Sequence, residues 1–470
     1  MHSVGNIRVV LAAALMVVAV MPAQSQPPCP VIPSLAVDGI PDDVCQHEPR
    51  DYESFANMAW QTFKMLVWPA ASRGVAATDR NITDMKGARV FETYKSDWET
   101  FLAKAERPLD WDLYPTKADA CANVSSIPPL SDGSLVLASL NKFGNVTQTD
   151  VARDSKNADI EYLLVAQNGS LVRYLPAFGK KAFDLIQTNK LYQSLDMTVS
   201  DDPPKGKTKT SFGTMTIKSA WIEIKNGLPD PSSFYWRYAW VQDPSDGSCK
   251  EAPVALVGLH ITHKTVSSPQ WIWASFEHVK NAPLRHSPPV VGYTFNDGSG
   301  SDMLVDPPLN ARIPMNPFVI PPPYNVEQWV PTAKAIENVN GNWQKMLRDA
   351  GSVWTNYKLV VVEWPGIPNA GGRTGSGRDK VGKPGAYPTP PCLKNGVNLA
   401  NTVMETFLQP DIVCKGMTTC MSCHNNARNY DFIWSIPLNS KDPLGALGLS
   451  QTRESALSIL RQITSRNAPR

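Results

Sequence analysis

Val257-Gly258-Leu259-His260-Ile261-Thr262-His263-Lys264 is followed, after five intervening residues, by Gln270-Trp271-Ile272-Trp273-Ala274-Ser275-Phe276-Glu277-His278. Both runs are β-branched and aromatic, and the spacer between them is rich in turn formers, so the pair predicts two β-strands in an antiparallel arrangement. On a strand, side chains alternate between faces. His260 and His263, three apart, therefore point to opposite faces and are ill placed to chelate one metal ion. Trp271 and Trp273 share a face and predict an aromatic wall, open to two uses: packing, or lining the edge of a planar ligand.

Outward from this pair the same pattern recurs. Strands are predicted at residues 161–167, 170–174, 213–223, 234–242 and 290–295. The first two flank Asn168-Gly169, a turn signal because both residues tolerate positive φ. Together they predict an antiparallel β-rich domain, sandwich or meander, over residues 131–318. Ahead of it, residues 51–68 place Phe55, Met58, Ala59, Phe63, Leu66 and Val67 at helical spacing with Pro69 as the stop, and residues 89–105 look like a second amphipathic helix. These define an N-terminal helical region, residues 26–130. Beyond it, Val319-Ile320-Pro321-Pro322-Pro323-Tyr324 is an extended linker that opens a C-terminal region, residues 319–470. A helix is expected at 331–350, a strand at 353–364 and a second helix at 397–408. The run Gly371-Gly372-Arg373-Thr374-Gly375-Ser376-Gly377 is a surface loop, since a phosphate loop needs a strand directly before it and a helix directly after. The fold class expected is α+β: N-terminal helices, an antiparallel centre and a C-terminal helical segment.

Composition excludes several roles. With 45 Lys plus Arg against 43 Asp plus Glu, the formal charge is +2, which gives no support to nucleic-acid binding. Fourteen Trp, 13 Tyr and 14 Phe within 42% hydrophobic residues make a packed core available and exclude a disordered chain. Forty-one prolines limit long helices. No nucleophile elbow, zinc-protease motif or solenoid repeat is present. Arg8 precedes 13 consecutive apolar residues, 9–21, and then Pro22-Ala23-Gln24-Ser25, so residues 1–25 are expected to be a signal peptide cleaved after Ser25. Thirteen residues span only ~20 Å as a helix, short of a bilayer core, and no later stretch predicts a transmembrane segment. The expected location is periplasmic or secreted.

The eight cysteines are Cys29, Cys45, Cys121, Cys249, Cys392, Cys414, Cys420 and Cys423. The last two belong to Cys420-Met421-Ser422-Cys423-His424, the C-x-x-C-H pattern of covalent c-type haem attachment. Two thiols at i and i+3 lie on one side of a helical turn, where both can add to the vinyl groups of one porphyrin, and the next residue reaches the iron as proximal ligand. One covalent haem c, held by Cys420, Cys423 and His424, is therefore expected. A zinc site with Cys414 and a redox or structural disulfide are the competing uses of these residues. Six cysteines remain and can close three bridges; proximity pairs Cys29 with Cys45, Cys121 with Cys249, and Cys392 with Cys414.

After His424 the chain has neither Met nor His, so a sixth ligand of either type must come from upstream. Met404, on the expected helix 397–408, is one candidate distal ligand, with an ordinary core role as the alternative. His260, His263, His278 and His286 form a second group and His47 a third, and a five-coordinate haem is a further option. A Met or His opposite the proximal histidine favours an electron carrier, whereas an open side admits small molecules.

The attachment stretch continues as Asn425-Asn426-Ala427 and then Asp431-Phe432-Ile433-Trp434-Ser435. In this it resembles exported bacterial monohaem cytochromes of β-rich fold, cytochrome c′-beta and the related hydroxylamine-oxidising cytochromes with lysine-crosslinked haem. In those proteins too the motif lies near the end of a mostly antiparallel fold and is followed by an acidic-aromatic segment. The resemblance implies thioether links at Cys420 and Cys423 and His424 as proximal ligand. Three functions follow as expectations: an electron-transferring cytochrome acting with a redox partner protein or small-molecule electron donor or acceptor; a haem enzyme or small-gas-binding protein with an open distal site; and a disulfide-stapled binding protein without haem.

Overall fold

The computed structural model describes residues 33–44, 52–102, 104–126, 135–140, 161–196, 210–268, 270–288, 290–299, 312–313, 323, 325–364, 401–406, 420, 424, 430–433 and 435–438. The chain divides into two compact units, Met1–Ile32 and Pro33–Arg470. The first, with the expected signal peptide, lies outside the described residues, as do Cys29, Cys45, His47, Cys392, Cys414 and Cys423.

The class is α+β, built on one curled, mostly antiparallel sheet of eight strands. Its strands are β3 (Lys95–Ser96), β4 (Leu135–Leu137), β6 (Arg173–Phe178), β7 (Met215–Glu223), β8 (Trp236–Gln242), β9 (Cys249–His263), β10 (Ile272–His278) and β12 (Tyr357–Glu363). Four short strands, β1 (Ala70–Ser72), β2 (Val75–Ala76), β5 (Glu161–Tyr162) and β11 (Arg312–Ile313), make two separate two-stranded ribbons. The main path runs β12-β10-β9-β7-β6-β3, with β8 on the first half of β9 and β4 parallel to β8. Among the described residues this is the one large sheet, and it draws β3 from before residue 131 and β12 from after residue 318.

The opening stretch folds as read: β9 and β10 pair antiparallel, with Thr262 opposite Trp273 and His260 opposite Ser275. Opposite β7, Val257 is an extra residue, because Ala220 pairs with Gly258 and Trp221 with Leu256. Such a bulge keeps Val257 and Gly258 on one side and bends the strand. Asn168-Gly169 turns the chain, with Gly169 at φ 75° and an antiparallel bridge between Val165 and Leu171. Residues 290–295 do not form a strand: Val290 and Val291 are exposed, while the buried Thr294 and Phe295 spend their backbone groups on single bonds to Gln167, Lys280, Asn281 and Val326 and not on one strand ladder.

Helix α1 (Tyr52–Leu66) and, later, α4 (Lys334–Asp349) cover one face of β10 and β12. Phe55 stacks on Trp364 at 3.8 Å and Phe63 on Phe276 at 4.3 Å, which fixes α1 to the sheet. Helix α3 is Lys180–Thr188. The helix expected at 89–105 breaks into a 3-10 turn (Val90–Thr93), β3 and the one-turn α2 (Asp97–Thr100). The reason is that its charged side chains face inward. Glu99 pairs with Arg73 at 3.1 Å and Glu92 with Arg237 at 2.7 Å, all four groups largely buried, so a polar face pointed at solvent was the wrong premise. Cys121 and Cys249 form the expected disulfide, closing a separation of 128 residues. No described helix is long and apolar enough to cross a membrane.

Burial also sets a pH response. Desolvation lowers His278 to about 3 and His263 to about 4, and it raises Asp97 to about 7. Between pH 4 and 6.5 the unfolded chain takes up a proton at each histidine that the fold refuses, while the fold keeps one proton on Asp97 that the unfolded chain releases. The histidines outnumber the aspartate, so stability is expected to rise with pH across this window, by ~1.4 kcal/mol per unit. Denaturant midpoints at pH 4.5 and 6.0 check this, and a higher midpoint at the lower pH would refute it.

Candidate haem site

Alternation along β9 and β10 sorts the sheet into two faces. Leu259, Ile261, Ile272, Ala274 and Phe276 belong to the apolar cluster that also holds the buried side chains of α1 and α4. The other face carries Gly258, His260 and Thr262 from β9, Trp273, Ser275 and Glu277 from β10, and Glu363 of β12 opposite Trp273. Cys420, His424 and residues 401–406 all meet this face. His260 and His263 do fall on opposite faces, and of the histidines on β9 and β10 only His260 shares the face of the attachment residues.

Cys420 and His424 each lie in a helical turn, one before and one after the undescribed stretch with Cys423. The Cys420 backbone N–H donates to the Glu363 carboxylate at 2.7 Å. Cys420 is half-buried against the main core and forms no disulfide. Burial first, then the nearby Glu363 and Glu405 carboxylates, push its thiol well above the ordinary range. A redox-active thiol needs the opposite shift.

The His424 ring lies 4.3 Å from the Trp273 ring, and its Nδ1 is 2.8 Å from the Phe432 carbonyl. A carbonyl can only accept, so Nδ1 carries the proton and the lone pair of the neutral ring sits on Nε2. Trp273 is held in turn by its indole N–H, which donates to the Gln270 carbonyl at 3.0 Å. Trp271 precedes β10, takes φ 74°, and stands 6.5 Å from Trp273. The aromatic wall therefore exists beside His424. Trp273 is the member that touches it.

Residues 401–406 correct the expectation of a helix at 397–408: they form a turn, with Glu405 N–H on the Asn401 carbonyl. Asn401 donates to Ser275 and to the Phe276 carbonyl, and Thr402 donates twice to Glu277 at 2.7 Å. Tyr174 donates to the Val403 carbonyl, and Glu405 lies 2.7 Å from His260 Nε2. Side chains of the sheet thus satisfy backbone groups that a helix would have satisfied internally. Met404 is fully buried in the second apolar cluster with Val403, Ala220 and Val257. His278 stacks on Phe234 at 3.7 Å, and His286 is exposed.

Gly258 is where this turn presses closest. A Cβ there would lie 2.7 Å from Val403 Cγ2 and 3.4 Å from Met404 Cγ. Gly258→Ala is expected to lower stability by about 1–3 kcal/mol through overpacking. Chemical denaturation checks this; an unchanged midpoint would show that the turn yields freely.

Sequence reading named Cys420, Cys423 and His424 but missed Glu363, Glu277 and the Phe432 carbonyl. Two signals were there: Glu363 closes an otherwise apolar strand, Val360-Val361-Val362-Glu363, and Glu277 interrupts Ser275-Phe276-Glu277-His278. A carboxylate inside a buried strand needs a partner. Among the described residues no group of three or more His, Cys, Asp or Glu could hold a metal ion. Comparison with known protein families, with characterised proteins and with solved structures gives no match.

The residues present fit a c-type haem on an observation independent of the motif. His424 is held by a Nδ1 hydrogen bond in the tautomer a haem ligand needs, against the ring of Trp273.

Proposed function

We propose that this protein is an exported monohaem c-type cytochrome that transfers electrons with a redox partner protein or a small-molecule donor or acceptor. Cys420 and Cys423 would carry the thioether links and His424 the proximal bond. The observation that carries the reading is the His424 Nδ1 contact with the Phe432 carbonyl, since it commits Nε2 to lone-pair donation. Bound here, haem supplies a one-electron ferric/ferrous couple.

The chain's own residues do the rest. Glu363 fixes where the attachment turn begins by accepting from Cys420 N–H. Trp273 holds one side of the imidazole, and β9 and β10 offer a firm plane behind it. Met404 remains the methionine candidate for a distal group, and His260, whose Nε2 meets Glu405 at 2.7 Å, is the histidine candidate of β9 on this face. The disulfide Cys121–Cys249 is in keeping with an oxidising compartment, and with a periplasmic or secreted location.

The test is a pyridine haemochrome spectrum on protein made with the cytochrome maturation system. A spectrum of covalent haem at one equivalent per chain is expected; colourless protein would leave the disulfide-stapled binding protein as the reading. Carbon monoxide added to the ferrous protein then separates carrier from open-site enzyme. Slow or absent binding is expected of the carrier, and rapid stoichiometric binding would overturn electron transfer as the role.

A further inference from the structure

We propose that Lys264, Asp431 and Thr210 form a positioning clamp that aims the Phe432 carbonyl at His424 and so tunes the iron, an inference that rests on the haem reading above. Asp431 and Phe432 are consecutive non-glycine residues in the left-handed region, at φ 51° and 68°. For side chains of this size such a conformation is unfavourable and persists only when its surroundings impose it. The surroundings here are explicit. Asp431 Oδ2 accepts from the Lys264 ammonium at 2.5 Å, from Thr210 N–H at 2.8 Å and from the Thr210 hydroxyl. Lys264 and Asp431 are 1% and 7% exposed at their side chains, so neither charge has water as a substitute partner.

Lys264 is a fixed post. It directly follows β9, its N–H donates to the Thr214 carbonyl at 2.9 Å, and its carbonyl accepts from Gly213 at 2.7 Å. Its ammonium also lies 5.8 Å from the Trp271 ring, next to the Trp273 that packs on His424. The sheet therefore holds Asp431 by its carboxylate. One residue later the chain presents a carbonyl 2.8 Å from Nδ1 of the proximal ring. An acceptor at that atom makes the imidazole more basic and a stronger donor to iron, which favours the ferric form. The clamp residues act on the imidazole through Phe432.

The holoprotein and two variants, Asp431→Asn and Thr210→Val, test this. In both, covalent haem should persist by pyridine haemochrome. The midpoint potential should rise, for Asp431→Asn by as much as a tenfold change in the ferric/ferrous balance, which is 59 mV for one electron. The nitrogen resonances of the His424 ring in the ferrous state should move with it, and Thr210→Val should shift both in the same direction by less. Unmoved potentials and resonances in haem-bearing variants would overturn the clamp while leaving the cytochrome reading intact. Wild-type protein without covalent haem would overturn the cytochrome reading first and the clamp with it. If Asp431→Asn does not fold, Thr210→Val decides the matter alone, because it removes one donor and keeps the ion pair.

Discussion

Replacing Cys420 and Cys423 together by serine is expected to give a colourless protein whose secondary structure is preserved. The two thioethers would be the covalent hold the motif supplies, and a serine hydroxyl cannot replace a thiol in adding to a vinyl group. Single replacement should leave one link and shift the haemochrome band, since one vinyl group stays unsaturated. His424→Ala should keep the links and lose the proximal bond, so ligand binding and reduction potential change while covalent haem remains. The measurement is haem per chain after acid-acetone extraction, read with far-UV circular dichroism. Full haem retention in the double variant would refute the attachment site. The preserved fold is expected because Cys420 sits at the rim of the core, joined to the sheet through its backbone N–H to Glu363.

The second large effect is in the core. Trp60→Ala is expected to lower stability by about 3–5 kcal/mol, the range for removing a large buried aromatic. Trp60 has no exposed surface; its ring stacks on Trp343 at 5.8 Å and meets Phe276 edge-on at 5.1 Å. Its indole N–H donates to Asn340 Oδ1 at 2.8 Å, and Asn340 also donates to the Leu359 carbonyl. One side chain thus joins α1, α4, β10 and β12. Alanine leaves a void among rigid rings that cannot collapse into it, and leaves the Asn340 oxygen only the Leu359 N–H of its two donors. Trp60→Phe should cost less, since it keeps most of the packing and loses only the N–H. Urea unfolding with an unchanged slope checks both, and a loss below about 1 kcal/mol for alanine would show that the junction is not where stability resides.

Much of the architecture was legible because it rests on local rules. Alternating β-branched residues gave β7, β8 and β10 within two residues of their bounds and the second half of β9, whose first residues from Cys249 were not read as strand. Helical spacing before Pro69 gave α1, and the apolar series Ile336, Trp343 and Leu347 gave α4. The segments that depart from local pattern share a cause. Segment 89–105 has an amphipathic pattern only if its charges face water, and they are instead paired inside. Segment 397–408 was read as a helix, and residues 401–406 are instead held by side chains of β6, β9 and β10. In both, distant partners supplied hydrogen bonds that local pattern cannot show.

Sequence alone determined the reactive triplet Cys420, Cys423 and His424 as a candidate, because thioether chemistry requires a fixed covalent spacing that any chain must display in order. It also determined which side chains alternate along β9 and β10, because a strand has a two-residue period whatever it pairs with. Only the tertiary structure decided that Glu363 receives Cys420, that Trp273 meets His424, and that a carbonyl after a buried aspartate faces Nδ1. Those contacts join residues eight to 167 positions apart, across strand registers set by the whole sheet, and no short-range rule encodes a register.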